Sequence, residues 1–371
     1  MTTLRVIVDQ IVAPHPGGIG RYTEELTRAL IETSPTGADV AGVVSASTES
    51  EYQRVTTLLP GLTDLYKSAL SRRDLERSWL HGVTSLPGKG MVHGTGLFAP
   101  LGRHDRLNDP GNQIAVTLHD TVPWHAPQSI PARRVAWYKG MLKRAHKYAD
   151  ALVVPTHAVA AQLESIADFG DRVRVIGGAV SSKLRRPIDA EARAARLGLP
   201  QDYLLAMGPD LEHKGLGHLV DALSDPLLDG IPLYLAGVSD EQATALAAGG
   251  GRVIGLGRLD DADLAVAIGS ASVFVVPSML EGFGLPVLEA FALGAPVVHS
   301  DDPALVEVAG GAGIAVEREG EGYPHRLAKA IASVLSDDAL AGNLALQGED
   351  RAKAFSWKDS AERVWQLHAD L

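Results

Sequence analysis

The chain has 371 residues, too many for one ordinary domain and enough for two that each bury a core. Hydrophobic residues make up 46% and charged residues 21%, which excludes a disordered chain, and no apolar run approaches the roughly 20 residues that span a bilayer. A net charge of -11 argues against a general nucleic-acid binder, and with no cysteine there is neither a disulfide framework nor a thiolate metal site.

The charge is uneven. Residues 1–180 carry 19 Lys+Arg against 17 Asp+Glu, and the remainder 15 against 28, so the acidity lies in the second half and the first is free to meet an anionic acceptor or surface. The N-terminus enters a strand pattern at once, Leu4–Asp9, without a signal peptide's basic start, and a cytoplasmic protein is expected. A Gly/Pro loop follows, then helical spacing from Ile19 to Glu32. Further strands are predicted at Val40–Ser45, Gly90–His93, Gln113–Leu118, Ala151–Val154 and Arg172–Ile176, with helices over Pro131–Tyr148 and Thr156–Asp168. Apolar strands separated by helices predict an α/β chain with a parallel sheet covered on both faces.

The alternation breaks at residues 180–200, which contain no strand pattern and end on Gly-Leu-Pro. It resumes with strands at Tyr203–Met207, Ile231–Ala236, Arg252–Leu256, Val273–Val276 and Pro296–His299, interleaved with helical patterns. Residues 247–251 read as a helix end and turn, and helices close the chain from about Tyr323. Two doubly wound domains are therefore predicted, 1–180 and 201–355, with a terminal helix at 356–371. Ligands of such sheets bind at the carboxyl ends of the strands.

The densest chemistry lies between Val273 and Ser300. The strand Val273–Val276 stops at Pro277-Ser278, a loop carries Glu281-Gly-Phe-Gly, and a helix begins near Pro286, where the missing N–H costs nothing. Gly282 and Gly284 let main-chain N–H groups approach an anion at a helix N-terminus, a phosphate cradle. The flanking carboxylates, Glu281 and Glu289, suit the vicinal hydroxyls of a sugar or ribose. Either Glu alone is equally explained as a solvated loop residue or a helix-dipole partner; the combined pattern is more specific.

This segment resembles the Glu-x7-Glu signature of the family 4 retaining glycosyltransferases, which have the GT-B fold of two Rossmann-like domains facing a cleft, and the likeness extends over essentially the whole chain. The resemblance implies that Glu281 contacts the transferred sugar, that Glu289 holds the nucleotide ribose, and that the N–H groups of Phe283, Gly284 and Leu285 hold the distal phosphate. Gly17-Gly18-Ile19-Gly20-Arg21-Tyr22, which lacks the third glycine of a dinucleotide fingerprint, resembles the family's first loop, implying that Gly18 approaches the diphosphate. Arg21 is then placed either on a phosphate or acceptor or simply on a helix surface. His119, with Asp120 beside it, follows the strand Gln113–Leu118 and resembles the family histidine that faces the donor sugar, where its backbone or ring stabilises developing charge. His93, at another strand end, is an acceptor-side candidate, as is Asp120.

Met207-Gly-Pro-Asp-Leu-Glu-His213-Lys214-Gly215 opens the second domain and matches the family's phosphate-binding Lys at Lys214. The family's Arg is absent: Pro209 stands where many members carry it and His213 where others do, so His213 or Arg21 is left to compensate. Gly255-Leu-Gly257-Arg258-Leu259 resembles the stretch against which the nucleobase packs, implying Arg258 and Leu259. Glu307 matches a further family Glu. Asp261-Ala-Asp263 formally matches a metal-binding Asp-x-Asp, but acids opening an amphipathic helix are accounted for by capping and the dipole, so no metal and no cofactor beyond the nucleotide sugar is expected.

The resemblance further implies transfer of a hexose with retention, domain closure around the donor, and a terminal segment near Phe355-Ser-Trp357 that crosses back to the first domain. The wording of the two glycine loops is similar to a bacterial mannosyltransferase-like branch, which makes GDP-mannose the first donor expected, with a glycan or lipid-linked acceptor on the first domain. The helix 131–148 carries Arg133, Arg134, Lys139, Lys143, Arg144 and Lys147 around Trp137 and Tyr138, the composition either of a helix lying on an anionic membrane or of a solvated face. A nucleotide-sugar epimerase or hydrolase, or a weakly catalytic binding scaffold, would share the donor motifs. A nicotinamide-dependent dehydrogenase is disfavoured, because no acid follows the glycine loop at the next strand end.

Overall fold

The computed structural model describes residues 2–14, 16–86, 90–105, 108–109, 111–247 and 252–371; the turn expected at 247–251 lies largely outside them. The chain forms two compact units, one running to Gly178 and including Ser356–Leu371, the other Ala179–Phe355.

The first unit follows the order β1 (Thr2–Ile7), α1 (Gly17–Glu32), β2 (Ala38–Ala46), α2 (Glu49–Leu58), β3 (Leu65–Ser71), α3 (Arg72–His81), β4 (Met91–Gly94), β5 (Gln113–Thr117), α4 (Val122–His125), α5 (Ala132–Tyr148), β6 (Ala151–Val154), α6 (His157–Glu164) and β7 (Val173–Val175). Its seven strands lie in the order β3-β2-β1-β4-β5-β6-β7, and the pairs are parallel, with Leu4 opposite both Val40 and Met91. Every residue of β5 and β6 is buried, as a sheet covered on both faces requires. The elements α2, β3 and α3 had no counterpart in the expected series. β3 is the sheet edge, and its sequence LYKSALS is only half buried, so it lacks the apolar run of a central strand. A signal for α2 was nevertheless present: Thr48 and Glu51 form a reciprocal capping box.

The second unit contains α7 (Ala190–Arg196), β8 (Leu204–Met207), α8 (Leu216–Ala222), β9 (Leu233–Ala236), α9 (Asp240–Leu246), β10 (Val253–Gly257), α10 (Asp261–Gly269), β11 (Val273–Val276), α11 (Leu285–Ala292), β12 (Val297–Ser300), α12 (Pro303–Ala309), β13 (Ile314–Val316), α13 (Tyr323–Leu335) and α14 (Asp338–Ala352). Its six strands lie in the order β10-β9-β8-β11-β12-β13, the doubly wound arrangement whose order reverses between β8 and β11. The segment 180–200 packs into this unit. Leu184 joins its core, and Arg193 and Arg196 of α7 bind Asp263 at 2.7 and 2.6 Å.

The terminal helix α15 (Trp357–Asp370) belongs to the first unit. Its Trp365 Nε1 donates to the Leu30 carbonyl of α1 at 3.2 Å, and Ser360 Oγ donates to Gly177. His368 is buried against His93 of β4, with His368 Nε2 3.3 Å from His93 Nδ1 and His368 Nδ1 3.1 Å from Gln113 Oε1. A consistent reading has His368 Nδ1–H donating to Gln113 and His93 Nδ1–H donating to His368.

Candidate active site

In both units the residues singled out in the sequence gather where the strands end. The second unit holds the charged part. β8 ends at Met207, and a turn of 3-10 helix, Glu212–Lys214, carries the chain to Gly215 in the left-handed region at φ +66°. A Cβ on Gly215 would lie 2.1 Å from the Pro277 carbonyl oxygen, so this glycine allows the Lys214 turn to press directly on the loop after β11. His213 is buried, and its carbonyl accepts the Met279 N–H at 2.8 Å.

That contact sets Lys214 beside Glu281. Lys214 Nζ donates to Glu281 Oε1 at 2.6 Å, and Ser278 Oγ donates to the same oxygen at 2.8 Å. Burial pushes the Glu281 carboxyl up, but the Lys214 charge, these two hydrogen bonds and the nearby His213 outweigh it and hold it below the usual glutamate value. Glu281 is therefore a buried carboxylate at neutral pH with one oxygen committed to its partners.

After Glu281 the loop reaches Gly284, the N-cap of α11, at φ +80°. A Cβ there would lie 2.4 Å from Leu305 Cδ2, so both backbone and space demand glycine. Phe283 is tilted edge-on to Phe355, with centroids 5.9 Å apart. Leu285 and Pro286 open the helix, and Glu289 is buried within it. The N–H groups of a helix start thus lie between two carboxylates in sequence, an arrangement able to hold phosphate and hydroxyls together.

Arg258 and Leu259 follow β10, whose end is tied to the loop after β9 by Gly237 N–H donating to the Gly257 carbonyl at 2.7 Å. Arg258 is exposed, and Leu259 packs against the unit's core. The nearby acids have structural partners: Asp260 caps α10 by accepting the Asp263 N–H at 2.7 Å, and Asp263 binds the two arginines of α7. Glu307 lies on α12 with its carbonyl accepting from Arg351.

Residues not anticipated from the sequence surround the Glu281 loop. Tyr323 of α13 donates its hydroxyl to the Pro277 carbonyl at 3.0 Å, Ser300 of β12 to that of Ser278, and Arg318 Nε to that of Met279 at 3.1 Å. Arg318 also pairs with Asp301 at 2.8 Å. Ser300 ends β12, while Asp301 and Arg318 lie in the loops after β12 and β13, so the rule of strand carboxyl ends was the signal that could have found them.

The first unit assembles its strand-end residues around a histidine, with the buried Asp9 paired to Arg72 at 2.8 Å beside them. α1 begins at Gly17, two residues before the expected start. Gly20 is sterically required, since its Cβ would overlap Pro16, whereas Gly18 faces open space. Arg21 follows on the helix, half-buried. Tyr22 is buried and meets His119 edge-on at 4.7 Å and Trp357 of α15 at 5.5 Å. His119 Nε2 lies 2.7 Å from the Thr95 carbonyl, which must accept, so the ring carries its proton on Nε2 and Nδ1 is left as an acceptor. Burial lowers the His119 pKa to about 4 despite that hydrogen bond. Burial thus favours the neutral ring, with Nδ1 as its acceptor. Asp120 accepts the Val122 N–H at 3.0 Å, opening α4.

His93 is placed differently from its acceptor-side expectation. It is fully buried under α15 in the pair with His368, and burial lowers its pKa to about 4. The aromatic residues of α5 also turn inward. Trp137 is buried, Arg134 lies over the Trp137 and Tyr138 rings at 4.5 and 5.0 Å, and Arg134 pairs with Glu76 at 2.9 Å. Arg133, Lys139, Lys143 and Lys147 remain exposed. No described helix is long and apolar enough to cross a membrane.

Two Rossmann-like parallel-sheet units are the architecture of the GT-B glycosyltransferases. The family model described as Glycosyltransferase Family 4 matches residues 16–183, and that of Glycosyl transferases group 1 matches residues 201–337. The chain belongs to the family 4 glycosyltransferases, within a mannosyltransferase-like branch. It is 29% identical to the O-antigen chain mannosyltransferase B of Escherichia coli over 92% of this chain and 93% of that one. It is 25% identical to the D-inositol 3-phosphate glycosyltransferase 1 of Catenulispora acidiphila over 99% and 95%. The solved sucrose-phosphate synthase of Thermosynechococcus elongatus superposes with a TM-score of 0.74 at 22% identity, covering 100% of this chain and 99% of that structure.

Proposed function

We propose that this glycosyltransferase moves a hexose from a nucleoside diphosphate sugar to a hydroxyl with retention of anomeric configuration, and that GDP-mannose is its donor. The observation that carries the reading is the Lys214–Glu281 pair at 2.6 Å, its Glu281 buried in the same loop as the Gly284 helix start. Breaking the glycosidic phosphate bond builds negative charge on the leaving diphosphate. Lys214 and the N–H groups of Phe283, Gly284 and Leu285 offset that charge, Glu281 accepts from the sugar hydroxyls, and Glu289 accepts from the ribose. Arg258 and Leu259 border the base. His119, neutral with a free Nδ1 lone pair, serves as a hydroxyl acceptor, and Gly18 lets the first loop approach the phosphate. No side chain is assigned as a nucleophile; the departing phosphate takes the acceptor's proton. The mannosyltransferase names among its relatives support the donor assignment, and one of them, a phosphatidyl-myo-inositol mannosyltransferase, supports a lipid-linked acceptor.

The decisive experiment is a thermal-shift screen of nucleotide sugars followed by product analysis with the best stabiliser. GDP-mannose should stabilise most, and the product's anomeric proton should match the α configuration of the donor. Turnover that persists undiminished in Glu281→Ala would overturn the site assignment. The acceptor is proposed to be lipid-linked, reached at a membrane surface through the exposed cations of α5. These residues make an electrostatic rather than an inserting contact, since Trp137 and Tyr138 face inward. Flotation with vesicles should require anionic lipid and fail in Lys139→Glu/Lys143→Glu.

A further inference from the structure

Thr95 stands between two glycines just after β4, in the run Gly94-Thr95-Gly96. Its carbonyl is the group that accepts the His119 Nε2–H at 2.7 Å. A Cβ added to Gly96 would meet nothing within 4 Å, so no side chain at that residue fixes the plane of the Thr95–Gly96 peptide. What the glycine leaves free, the Thr95 side chain holds.

Thr95 is buried, as is Thr23 of α1. The Thr95 hydroxyl donates to the Ile7 carbonyl at the end of β1 at 2.9 Å and accepts from the Thr23 hydroxyl at 2.9 Å. Thr23 Oγ1 also lies 2.8 Å from the Ile19 carbonyl, in the first turn of α1 between Gly18 and Gly20. Tyr22, next to Thr23 on the helix, meets the His119 ring edge-on. A buried hydroxyl is costly unless it is bonded, and valine has the same branched shape without one. The hydroxyl at position 95 is therefore explained by its bonds, which join β1 and α1 to the residue whose carbonyl holds His119.

These bonds reach the chemistry through the imidazole. A neutral histidine has two tautomers, and the bond made by one ring nitrogen sets the state of the other. With the Nε2–H held by Thr95, Nδ1 keeps its lone pair and accepts. With the proton on Nδ1 the same atom donates, and a ligand hydroxyl loses its acceptor. We infer that Thr95 is a positioning residue for His119: its hydroxyl, anchored on Ile7 and Thr23, fixes the peptide whose carbonyl selects the Nε2–H tautomer. The consequence for catalysis rests on the reading of His119 as the acceptor of a donor-sugar hydroxyl.

The test reads the tautomer directly, by two-bond proton–nitrogen correlations of isotope-labelled histidine rings at neutral pH. His119→Gln identifies the His119 signals by their disappearance. Wild type should show one neutral tautomer protonated at Nε2, Thr95→Val a mixture of the two, and Thr95→Ser the wild-type pattern again. Thr95→Ala is measured in parallel, because it sets no methyl group against the Ile7 carbonyl and differs from Thr95→Ser by the hydroxyl alone; it too should give the mixture. A wild-type pattern in Thr95→Val or Thr95→Ala would overturn the inference, since the carbonyl then needs no help from the hydroxyl. So would a mixture in Thr95→Ser, since the methyl then holds the peptide. Release of mannose from GDP-mannose in water is followed on the same proteins. Thr95→Ala should slow it about fivefold, with GDP affinity by calorimetric titration within about twofold of wild type, and Thr95→Ser should recover the rate. A slowed His119→Gln beside an unslowed Thr95→Ala rejects the positioning role. If His119→Gln releases mannose as fast as wild type, or wild type releases none, the reading of His119 or of the donor fails, and the tautomer pattern still decides for or against Thr95.

Discussion

The two units share one strand order around their switch points, β3-β2-β1-β4 in the first and β10-β9-β8-β11 in the second, yet the loops at corresponding ends do opposite electrostatic work. After β8 and β11 stand the Lys214–Glu281 ion pair and Ser278, with Ser300 and Arg318 reaching the loop from the ends of β12 and β13. After β1 and β5 stand a buried aspartate, Asp9, paired with Arg72 at 2.8 Å, a neutral histidine, an aromatic contact and an open glycine turn. In doubly wound folds ligands bind at the strand ends, and the residues that follow each strand decide which ligand fits. In the proposed reaction a leaving diphosphate needs fixed positive charge, whereas hydroxyls are met by a carboxylate such as Glu281 or by a neutral ring nitrogen such as that of His119.

Removing the charged side should therefore cost far more than removing the neutral one. Lys214→Met takes away the counter-charge to the leaving phosphate and strands Glu281 as an unpaired buried carboxylate. A fall in kcat of about 10³ is expected, with a loss of about 3 kcal/mol in the stability of the second unit. Steady-state kinetics and denaturant melts check both. A loss below tenfold would mean that the ion pair is structural and the phosphate is held elsewhere.

The glycines sharpen the same contrast. Gly284→Ala meets both a φ of +80° and Leu305 Cδ2 at 2.4 Å, a combination expected to cost about 3 kcal/mol and to abolish diphosphate binding. Gly18→Ala places its methyl in open space and should change stability by less than about 0.5 kcal/mol. Equal destabilisation of the two would show that the turns are not distinguished by backbone strain.

Acid should separate the units as well. His93 has its pKa lowered from 6.5 to about 4 by burial, and His368 is lowered well below 6.5 by burial and by His93. For groups held neutral in the fold, stability is full above the unfolded value and drains as pH falls, because the unfolded chain takes up protons first. The His93 shift alone is worth about 3 kcal/mol over that window, and its loss loosens α15 from β4. Asp302 runs the other way: its pKa is raised from 3.8 to about 6, so acidification across that interval stabilises the second unit. Hydrogen exchange at pH 7.5 and pH 5 should show protection falling in β4 and α15 while β12 and α12 hold theirs. His368→Gln, which keeps a hydrogen-bonding side chain without a titrating ring, should flatten the response of the first unit.

What the sequence disclosed follows the range of the interactions. The Glu281–Glu289 loop was legible because its constraints are local: an apolar strand, a glycine with positive φ and a proline at the helix start lie within a few residues. Ser300, Arg318 and Tyr323 were not, because they reach the loop from neighbouring strands and helices, and the strand-end rule marks only the level of Ser300 and Arg318, not the loop they hold. β3 escaped notice for a different reason. An edge strand exposed on one side needs no apolar run. His93 shows the limit of the strand-end rule, which gives the level of a residue in the sheet but not the face its side chain takes. Here α15, contributed from the far end of the chain, covers that face. The helix 131–148 was legible as amphipathic, but not in which direction its aromatic residues turn.

The smallest effect is expected at His119, and it tests the neutral half directly. Its Nε2–H is held by the Thr95 carbonyl at 2.7 Å and burial lowers its pKa to about 4, so the ring is uncharged at neutral pH. His119→Gln keeps an N–H for Thr95 and an oxygen for the ligand. It should lower kcat/KM by about tenfold, two orders less than Lys214→Met. Because the wild-type ring does not gain a proton until pH falls toward 4, no inflection between pH 5 and 8 should disappear from the kcat/KM profile when His119 is replaced. An inflection near 6.5 present in wild type and absent in His119→Gln would mean that the ring is charged in catalysis, and the division between a charged donor half and a neutral half would fall with it.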